Sequence, residues 1–351
     1  MSRVRASVRS WTYVGVVGVG VALILASCGT PAVAPNTPVS GVPSTSISVP
    51  LTTVGCTATT CVAVGTSTSD VAPMSVGESR GAHGGWSAIA TPAIASTVTI
   101  QDASCWSDGC LFVGQDAGGD VAWRFSTSTG AVTPVNTPVG GTAMQSVSCY
   151  ASLSCAAIDN ATGTGPRFET TSDGGETWST PVTIEQPDAT VRSLACGTPL
   201  DCVVAMASSN DAVNIYVTLD GGTTWTPRMN STSAAWETLT SLTCHQLVCL
   251  GLAQLSTKWH VVRTATLGRT WSVKSAFTVA SNSVPTLACS NLTHCALGGT
   301  KDGSTPWLAT YNDGTLTTQK LKYVPSPILQ LACGSKVCAG IGVTTLLALR
   351  S

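Results

Sequence analysis

From Leu51 to its end the chain alternates short apolar, β-branched runs with clusters of Gly, Pro, Asn, Asp and Ser, a pattern that predicts strands joined by tight turns. The clearest stretch is Val191 to Ala205, VRSLACGTPLDCVVA, in which one apolar run closes on Cys196 and a second opens on Cys202. It predicts a β-hairpin clipped by a disulfide, because cysteines facing each other across two antiparallel strands lie within bridging distance. The unit occurs seven times. The other copies pair Cys56 with Cys61, Cys105 with Cys110, Cys149 with Cys155, Cys244 with Cys249, Cys289 with Cys295 and Cys333 with Cys338, and they place all seven bridges at the turn end of their hairpins. First cysteines fall 49, 44, 47, 48, 45 and 44 residues apart, and a period in the forties marks a repeat array.

Laid over the copy Val191 to Met229, each repeat predicts four strands: A, Val191 to Cys196; B, Cys202 to Ala207; C, Asn214 to Thr218; and D, Thr224 to Met229. Four antiparallel strands in about 45 residues make one propeller blade. The expected fold is therefore all-β, a seven-bladed β-propeller of four-stranded antiparallel blades with one disulfide per blade in the A/B hairpin. The last repeat is short: after Cys338 thirteen residues remain, room for strands B and C but not D. The missing strand is expected from the other end of the chain, within Ser44 to Val49, which makes 44–351 the propeller domain.

The C/D turns recur as well. Thr171 to Trp178 reads TSDGGETW and Thr218 to Trp225 reads TLDGGTTW. Both resemble the Asp-box, S/T-x-D-x-G-x-T-W, of the sialidase-like, BNR-repeat propellers. Thr264 to Trp271 keeps Gly268, Thr270 and Trp271 but has Thr266 in place of the aspartate, and Thr310 to Thr317 keeps Asn312 and Gly314 without the tryptophan. The resemblance implies structural roles for Asp173, Gly175, Trp178, Asp220, Gly222, Trp225, Gly268 and Trp271. Each carboxylate accepts hydrogen bonds from its own turn, and each tryptophan packs into the groove beside the next sheet. A sialidase of that family also needs an arginine triad, a Tyr/Glu nucleophile pair and a Phe/Tyr-Arg-Ile-Pro segment. That segment is absent, and no three arginines occupy equivalent places in successive repeats. The photosystem II assembly factors resemble such propellers too, and they act by holding a partner protein.

Composition narrows the setting. Charged residues make up 10% of the 351 and the net charge is −1, so no basic field draws nucleic acid. Seven pairs use fourteen of fifteen cysteines and leave Cys28. Pairs spread evenly over the chain imply an oxidising compartment, whereas zinc ligands would converge in fours; no metal and no cofactor is expected. Met1 to Tyr13 carries Arg3, Arg5 and Arg9, and the apolar run Val14 to Leu25 follows, as in a secretory signal. Its end, Leu25-Ala26-Ser27-Cys28, resembles the lipobox of bacterial lipoproteins, which implies a signal peptide over 1–27 and lipidation at Cys28. Residues 28–43, rich in Thr, Ser and Pro, are the expected tether. The chain is then a monomer held at the cell membrane by its N-terminal lipid, extracytoplasmic.

Candidate chemistry belongs on the face opposite the disulfides, where the B/C and D/A connections lie. The B/C connections hold Asp116, Asp159, Asp211 and Asp302, and the long first one, Gly65 to Gly85, holds Glu78, Arg80 and His83. A D/A connection adds Trp236 beside Glu237, a candidate carbohydrate-stacking edge. Turn chemistry alone accounts for the aspartates. No Ser/His/Asp arrangement or phosphate loop is visible, and no catalytic residue is assigned. The preferred reading is a binding or scaffold module at the cell envelope whose partner is an envelope protein or a glycan. The alternative is a carbohydrate-active enzyme using acids of this face.

Overall fold

The computed structural model describes residues 51–65, 76–80, 86–89, 98–138, 140–141, 143–160, 164–208, 213–230, 236–280, 283–319, 327–342 and 346–350. These form seven antiparallel sheets in chain order, six of four strands and a last one of three. In the fourth, strands A to D are Thr190–Cys196, Cys202–Ala207, Val213–Thr218 and Thr226–Asn230, each paired with the next. The seventh consists of Gln330–Cys333, Val337–Ile341 and Leu346–Arg350. The expected seventh four-stranded blade is thus represented by three strands, and the segment proposed to complete it, 44–49, lies outside the described residues, as does Cys28.

One expected connection is shorter than the sequence pattern implies. Val76–Arg80 is strand C of the first sheet, with Glu78 opposite Val62 and Arg80 opposite Thr60. Glu78 and Arg80 therefore belong to a strand and not to a B/C loop; the scarcity of β-branched residues there hid the strand.

In every sheet the two cysteines are direct cross-strand partners and are joined by a disulfide. The bridges link Cys56 to Cys61, Cys105 to Cys110, Cys149 to Cys155, Cys196 to Cys202, Cys244 to Cys249, Cys289 to Cys295 and Cys333 to Cys338. Paired Cα atoms lie 3.9 to 4.1 Å apart. The bridges stand at the turn ends of their A/B hairpins, as expected, and they also reach into the core. The second cysteine of each pair, Cys61, Cys110, Cys155, Cys202, Cys249, Cys295 or Cys338, is buried, and each packs into a different apolar seam between sheets. The reason is position: the second cysteine lies in strand B or at its edge, and that strand is covered on both faces, so the half-cystine is part of the core.

The apolar content is not gathered at one centre. It is divided into seven layers, one in each seam between neighbouring sheets. Val203, Ile215 and Val217 of the fourth sheet meet Leu239, Leu242 and Val262 of the fifth, for example. The first sheet packs on the last through Leu51, Val54 and Ala63 against Val337, Ala339 and Ile341, so the ring is closed. This arrangement of antiparallel four-stranded blades is a β-propeller. Burial on both faces is also why strand B reads as an unbroken apolar run such as Cys202–Ala207.

A polar ladder runs along the inner strands. The residue three before the first cysteine is Thr53, Asp102, Ser146, Ser193, Ser241, Thr286 or Gln330, always a side chain able to accept a hydrogen bond. Gln330 Oε1 accepts the Val54 N–H at 2.8 Å, Asp102 Oδ2 the Val147 N–H at 3.0 Å, Ser146 Oγ the Leu194 N–H at 3.2 Å and Ser193 Oγ the Leu242 N–H at 3.0 Å. Each donor belongs to the next sheet around the ring. Strand A has no partner strand on its channel side, so these amides would otherwise lack protein partners. Ser104 and Ser148 add a second rung, accepting the N–H groups of Cys149 and Cys196. The inner strands surround a channel of about 320 Å³ lined from all seven sheets. Asp102 is the one ionisable group lining it among the described residues, and burial pushes its carboxyl up against the hydrogen bonds from Ser146, Val147 and Ala103.

Replacing the buried Ser193 by alanine leaves the Leu242 N–H without its acceptor and lowers unfolding stability by about 1 to 2 kcal/mol. Urea titration with disulfides intact measures this, and an unchanged midpoint would count against the ladder.

Candidate functional site

The acids predicted on the B/C face have separate fates. Asp116 Oδ1 accepts the Gly118 N–H at 2.7 Å within a two-residue hairpin turn. Asp302 accepts the N–H groups of Ser304 and Thr305 and both their hydroxyls, which hold its carboxyl far below the usual range, led by the Thr305 hydroxyl. Both are turn aspartates. Asp211 and His83 lie outside the described residues. Glu237 is exposed at the edge of strand A of the fifth sheet. Trp236 is buried in the seam between the fourth and fifth sheets, edge-on to Trp271 with centroids 5.8 Å apart. It covers the core and offers no stacking surface, which corrects the carbohydrate-edge expectation.

The tryptophans of the C/D turns also reverse an expectation. Trp178 donates through Nε1 to the Asn136 carbonyl at 2.9 Å, and Trp225 meets Phe168 at 5.0 Å. Each reaches back to the preceding sheet, not forward to the next. The turns themselves are tightly wired. Asp173 accepts from the Thr177 N–H at 2.9 Å and from the Thr177 and Thr171 hydroxyls, and Asp220 accepts from the same positions of its own turn. The Thr177 hydroxyl and amide lead in lowering the Asp173 carboxyl to about 2. In the fifth sheet Thr266 Oγ1 takes the Thr270 N–H at 3.0 Å, so a neutral hydroxyl makes the key bond of the missing carboxylate. Gly222 leaves room for Phe168, with which a Cβ would collide.

Asp159 is the exception among the predicted acids. It sits at the end of strand B of the third sheet, directly across from Arg167, and is 1% exposed. Arg167 grips it through Nε at 3.0 Å and through Nη2. Because strand residues alternate, Arg167 and Glu169 share one sheet face, and Phe168 turns to the other, into the seam with the fourth sheet. The face carrying Arg167 and Glu169 meets the second sheet, whose Asp120 opens strand C there. The connection through Gly140 and Gly141 closes over the group: Gly140 lies against the Arg167 guanidinium, and a Cβ on Gly141 would strike the Asp120 carboxylate.

Three carboxylates and one guanidinium thus occupy a seam otherwise lined by Leu111, Val113, Ala122 and Ala157. Both Glu169 oxygens are sealed from solvent without a hydrogen-bond partner. Burial, then the charge of Asp159, pushes its carboxyl up to about 9, against the pull of Arg167. Burial and Asp159 likewise push Asp120 up to about 6. At neutral pH Glu169 is a neutral acid, since a charge without a partner in such a place is costly. The pattern resembles acid/base tuning, yet the carboxylate oxygens of Asp120 and Glu169 are closed to solvent, and a general acid must reach its substrate. A shallow hollow of about 400 Å³ beside Asp120, lined also by Trp123, Pro134 and Asn136, approaches the group from outside. Among the described residues no set of three or more His, Cys, Asp or Glu side chains is placed to hold a metal ion.

Glu169 was not singled out by the sequence, since it stands among strand residues with no motif around it. The available signal was a carboxylate at a position where strand alternation demands an apolar side chain.

A group whose folded pKa is raised stabilises fully below its unfolded value, near 4.3 for Glu, and progressively less as pH rises to the folded value. Stability should therefore fall between about pH 5 and 9, by up to about 1.4 kcal/mol per pH unit for one retained proton. Glu169→Gln should flatten that slope. Urea unfolding at several pH values decides, and parallel slopes for both proteins would refute the protonated buried acid.

No family model and no curated protein matches the chain. Solved structures do share its architecture. YCF48 bound to a D1 peptide aligns with a TM-score of 0.62 at 14% identity, over 89% of this chain and 94% of that one. Virginiamycin B lyase from Staphylococcus aureus aligns at 0.59 and 10%, over 88% and 97%. The GH74 xyloglucanase from Xanthomonas campestris aligns at 0.57 and 10%, over 90% of this chain and 53% of that one. A binding protein, a lyase and a glycosidase on one scaffold leave the β-propeller fold as what the likeness establishes.

Proposed function

We propose that the chain is a lipid-anchored, extracytoplasmic β-propeller of seven blades that serves as a binding or scaffold module at the cell envelope. The observation that carries this reading is the destination of its polar side chains. Asp116, Asp173, Asp220 and Asp302 hold their own turns, Asp102 and the serines hold neighbouring sheets, and Asp159, Arg167 and Glu169 hold a seam. Among the described residues, these groups are engaged in architecture, and a rigid ring is what remains to be presented. Seven disulfides point to an oxidising, extracytoplasmic setting.

The YCF48 structure holds a D1 peptide, which supports a protein segment as partner for this chain as well. In this reading Cys28 carries the lipid, 28–43 is the tether, and Ser44 to Val49 adds a fourth strand beside Leu346–Arg350. A glycosidase would instead need two carboxylates facing one cleft. Of the acids named for that role, Asp116 and Asp302 are bound within their turns and Asp159 is clasped by Arg167.

Cys28→Ala should shift the protein from the membrane fraction to the soluble one; full membrane retention would contradict the anchor. Deleting 44–49 should lower the melting temperature by at least about 5 °C, as loss of a strand from a sheet implies. Capture from cell-envelope extract, run beside a glycan array, tests the module itself, and a clean glycan hit with no captured protein would overturn a protein partner.

A further inference from the structure

The repeats supply their own control for a feature of the disulfide face. Two residues before the second cysteine, the backbone carbonyl of the A/B turn accepts an N–H from the C/D turn of the same sheet. Leu153 takes Gly174, Leu200 takes Gly221 and Leu247 takes Leu267, at 2.8, 3.1 and 2.9 Å. Asp108 and Thr293 make the same bond to Thr127 and Asp313, both at 2.9 Å. The bond therefore needs no particular side chain. Yet in the third, fourth and fifth sheets the position is leucine, and those leucines are 37%, 56% and 45% exposed. Leu153 even holds a left-handed φ of 58°, a conformation that favours Gly or Asn over a bulky apolar residue.

The leucines lie on adjoining hairpins. Gln246 N–H donates to the Gly197 carbonyl at 3.2 Å, joining the fourth and fifth loops, and the Cys196 N–H to Ser148 Oγ at 2.9 Å joins the third and fourth at the cysteine level. Leu219, 54% exposed, stands in the C/D turn of the fourth sheet, the turn whose Gly221 N–H bonds to the Leu200 carbonyl. Exposed leucines in register on three consecutive repeats are unlike singly scattered ones. Elsewhere Leu255, Val273, Val284 and Leu329 are exposed at four positions that share no place in the repeat. Around Leu153, Leu200, Leu219 and Leu247 stand Asp173, Glu176, Asp201 and Asp220; Arg124 is already bonded to Glu176 and to the Asp173 carbonyl. In the fifth sheet Arg269 is the cation of the C/D turn.

We propose that Leu153, Leu200, Leu219 and Leu247 form a docking surface for a protein segment whose apolar side chains are flanked by Lys or Arg. The inference rests on the binding-module reading and names the surface and the chemistry of the partner. Apolar anchors would cover the leucines while basic residues answer the excess of carboxylates, an arrangement that gives affinity from the first and orientation from the second.

The test uses the mature disulfide-bonded chain and its L153S/L200S/L247S variant, with three probes: a labelled Leu/Lys peptide, a Leu/Glu peptide of equal spacing, and neutral phosphatidylcholine vesicles. The wild type should bind the Leu/Lys peptide about tenfold more tightly than the Leu/Glu peptide, and the variant should lose about tenfold, each a step of about 1.4 kcal/mol. Melting of the variant should stay within about 2 °C of the wild type, because the replaced side chains are exposed. Equal peptide binding by both chains, equal affinity for the two peptides, or a variant that loses only vesicle binding or only self-association would overturn the proposal. Envelope capture separates the two levels: capture that the variant retains in full removes this surface and leaves the module standing, and absence of capture by the wild type removes the module.

Discussion

A backbone amide left without a partner on the innermost strand is the constraint around which this ring is organised. Strand A of every sheet has a hydrogen-bonded neighbour on one side and the channel on the other, and a bare N–H there would face the loss that unpaired backbone groups incur. At four of the seven junctions the chain answers with a side chain from the preceding sheet, placed three residues before the first cysteine; in the second sheet the Ala103 N–H turns instead to Asp102 of its own strand. From Asp102 to Ser146 to the Leu194 amide the bonds run in series, since the Ser146 hydroxyl donates to Asp102 at 2.6 Å while accepting from Leu194. Such a series polarises its members in the same direction and ties three sheets together. The disulfides then have a clear task. Each fixes the turn end of the very hairpin whose inner strand carries the ladder, so neither strand can slip in register without breaking the bridge.

The seam between the second and third sheets shows what happens when polarity enters an apolar layer. Elsewhere the seams are closed by aliphatic and aromatic side chains; here Asp120, Asp159, Arg167 and Glu169 are enclosed with Ala122 and Ala157. One guanidinium cannot neutralise three carboxylates, so a proton takes the place of a second cation on Glu169. Gly140 and Gly141 make the enclosure possible, because any side chain at Gly141 would occupy the space of the Asp120 carboxylate. This is a structural use of shifted acidity, with reactive oxygens withheld from solvent.

Much of the fold was legible because its signals are local and repeated. The cysteine spacing and apolar runs place the hairpins, and the turn residues place the third and fourth strands. That Cys61, Cys110, Cys155, Cys249 and Cys295 are core residues as well as bridge partners depends on the neighbouring sheet that covers them, which spacing within one repeat does not encode. Strand C of the first sheet escaped notice since Val76–Arg80 has neither alternation nor a bounding turn motif of its own. The direction in which Trp178 and Trp225 pack is a property of how sheets tilt against each other, and no feature of a single repeat encodes it. Trp236 looked available because it stands in a connection beside a glutamate, but large aromatic side chains near a seam lose more by staying wet than by folding inward. The acids of the face were easier to find than to rank. Asp116 and Asp302 follow turn rules, while Asp159 differs only through Arg167, eight residues away and brought opposite by strand pairing.

The ladder has a consequence for how such a chain can change. Each rung reads a main-chain amide and ignores the side chain that carries it, so a sheet recognises its neighbour by position in the repeat and not by identity. Val54, Val147, Leu194 and Leu242 are interchangeable in this respect. Joining the ends and reopening the ring between sheets would leave these four rungs intact. The bespoke features are instead the charged seam of the second and third sheets and the turn tips of the third to fifth, and these tie particular repeats to particular places in the circle.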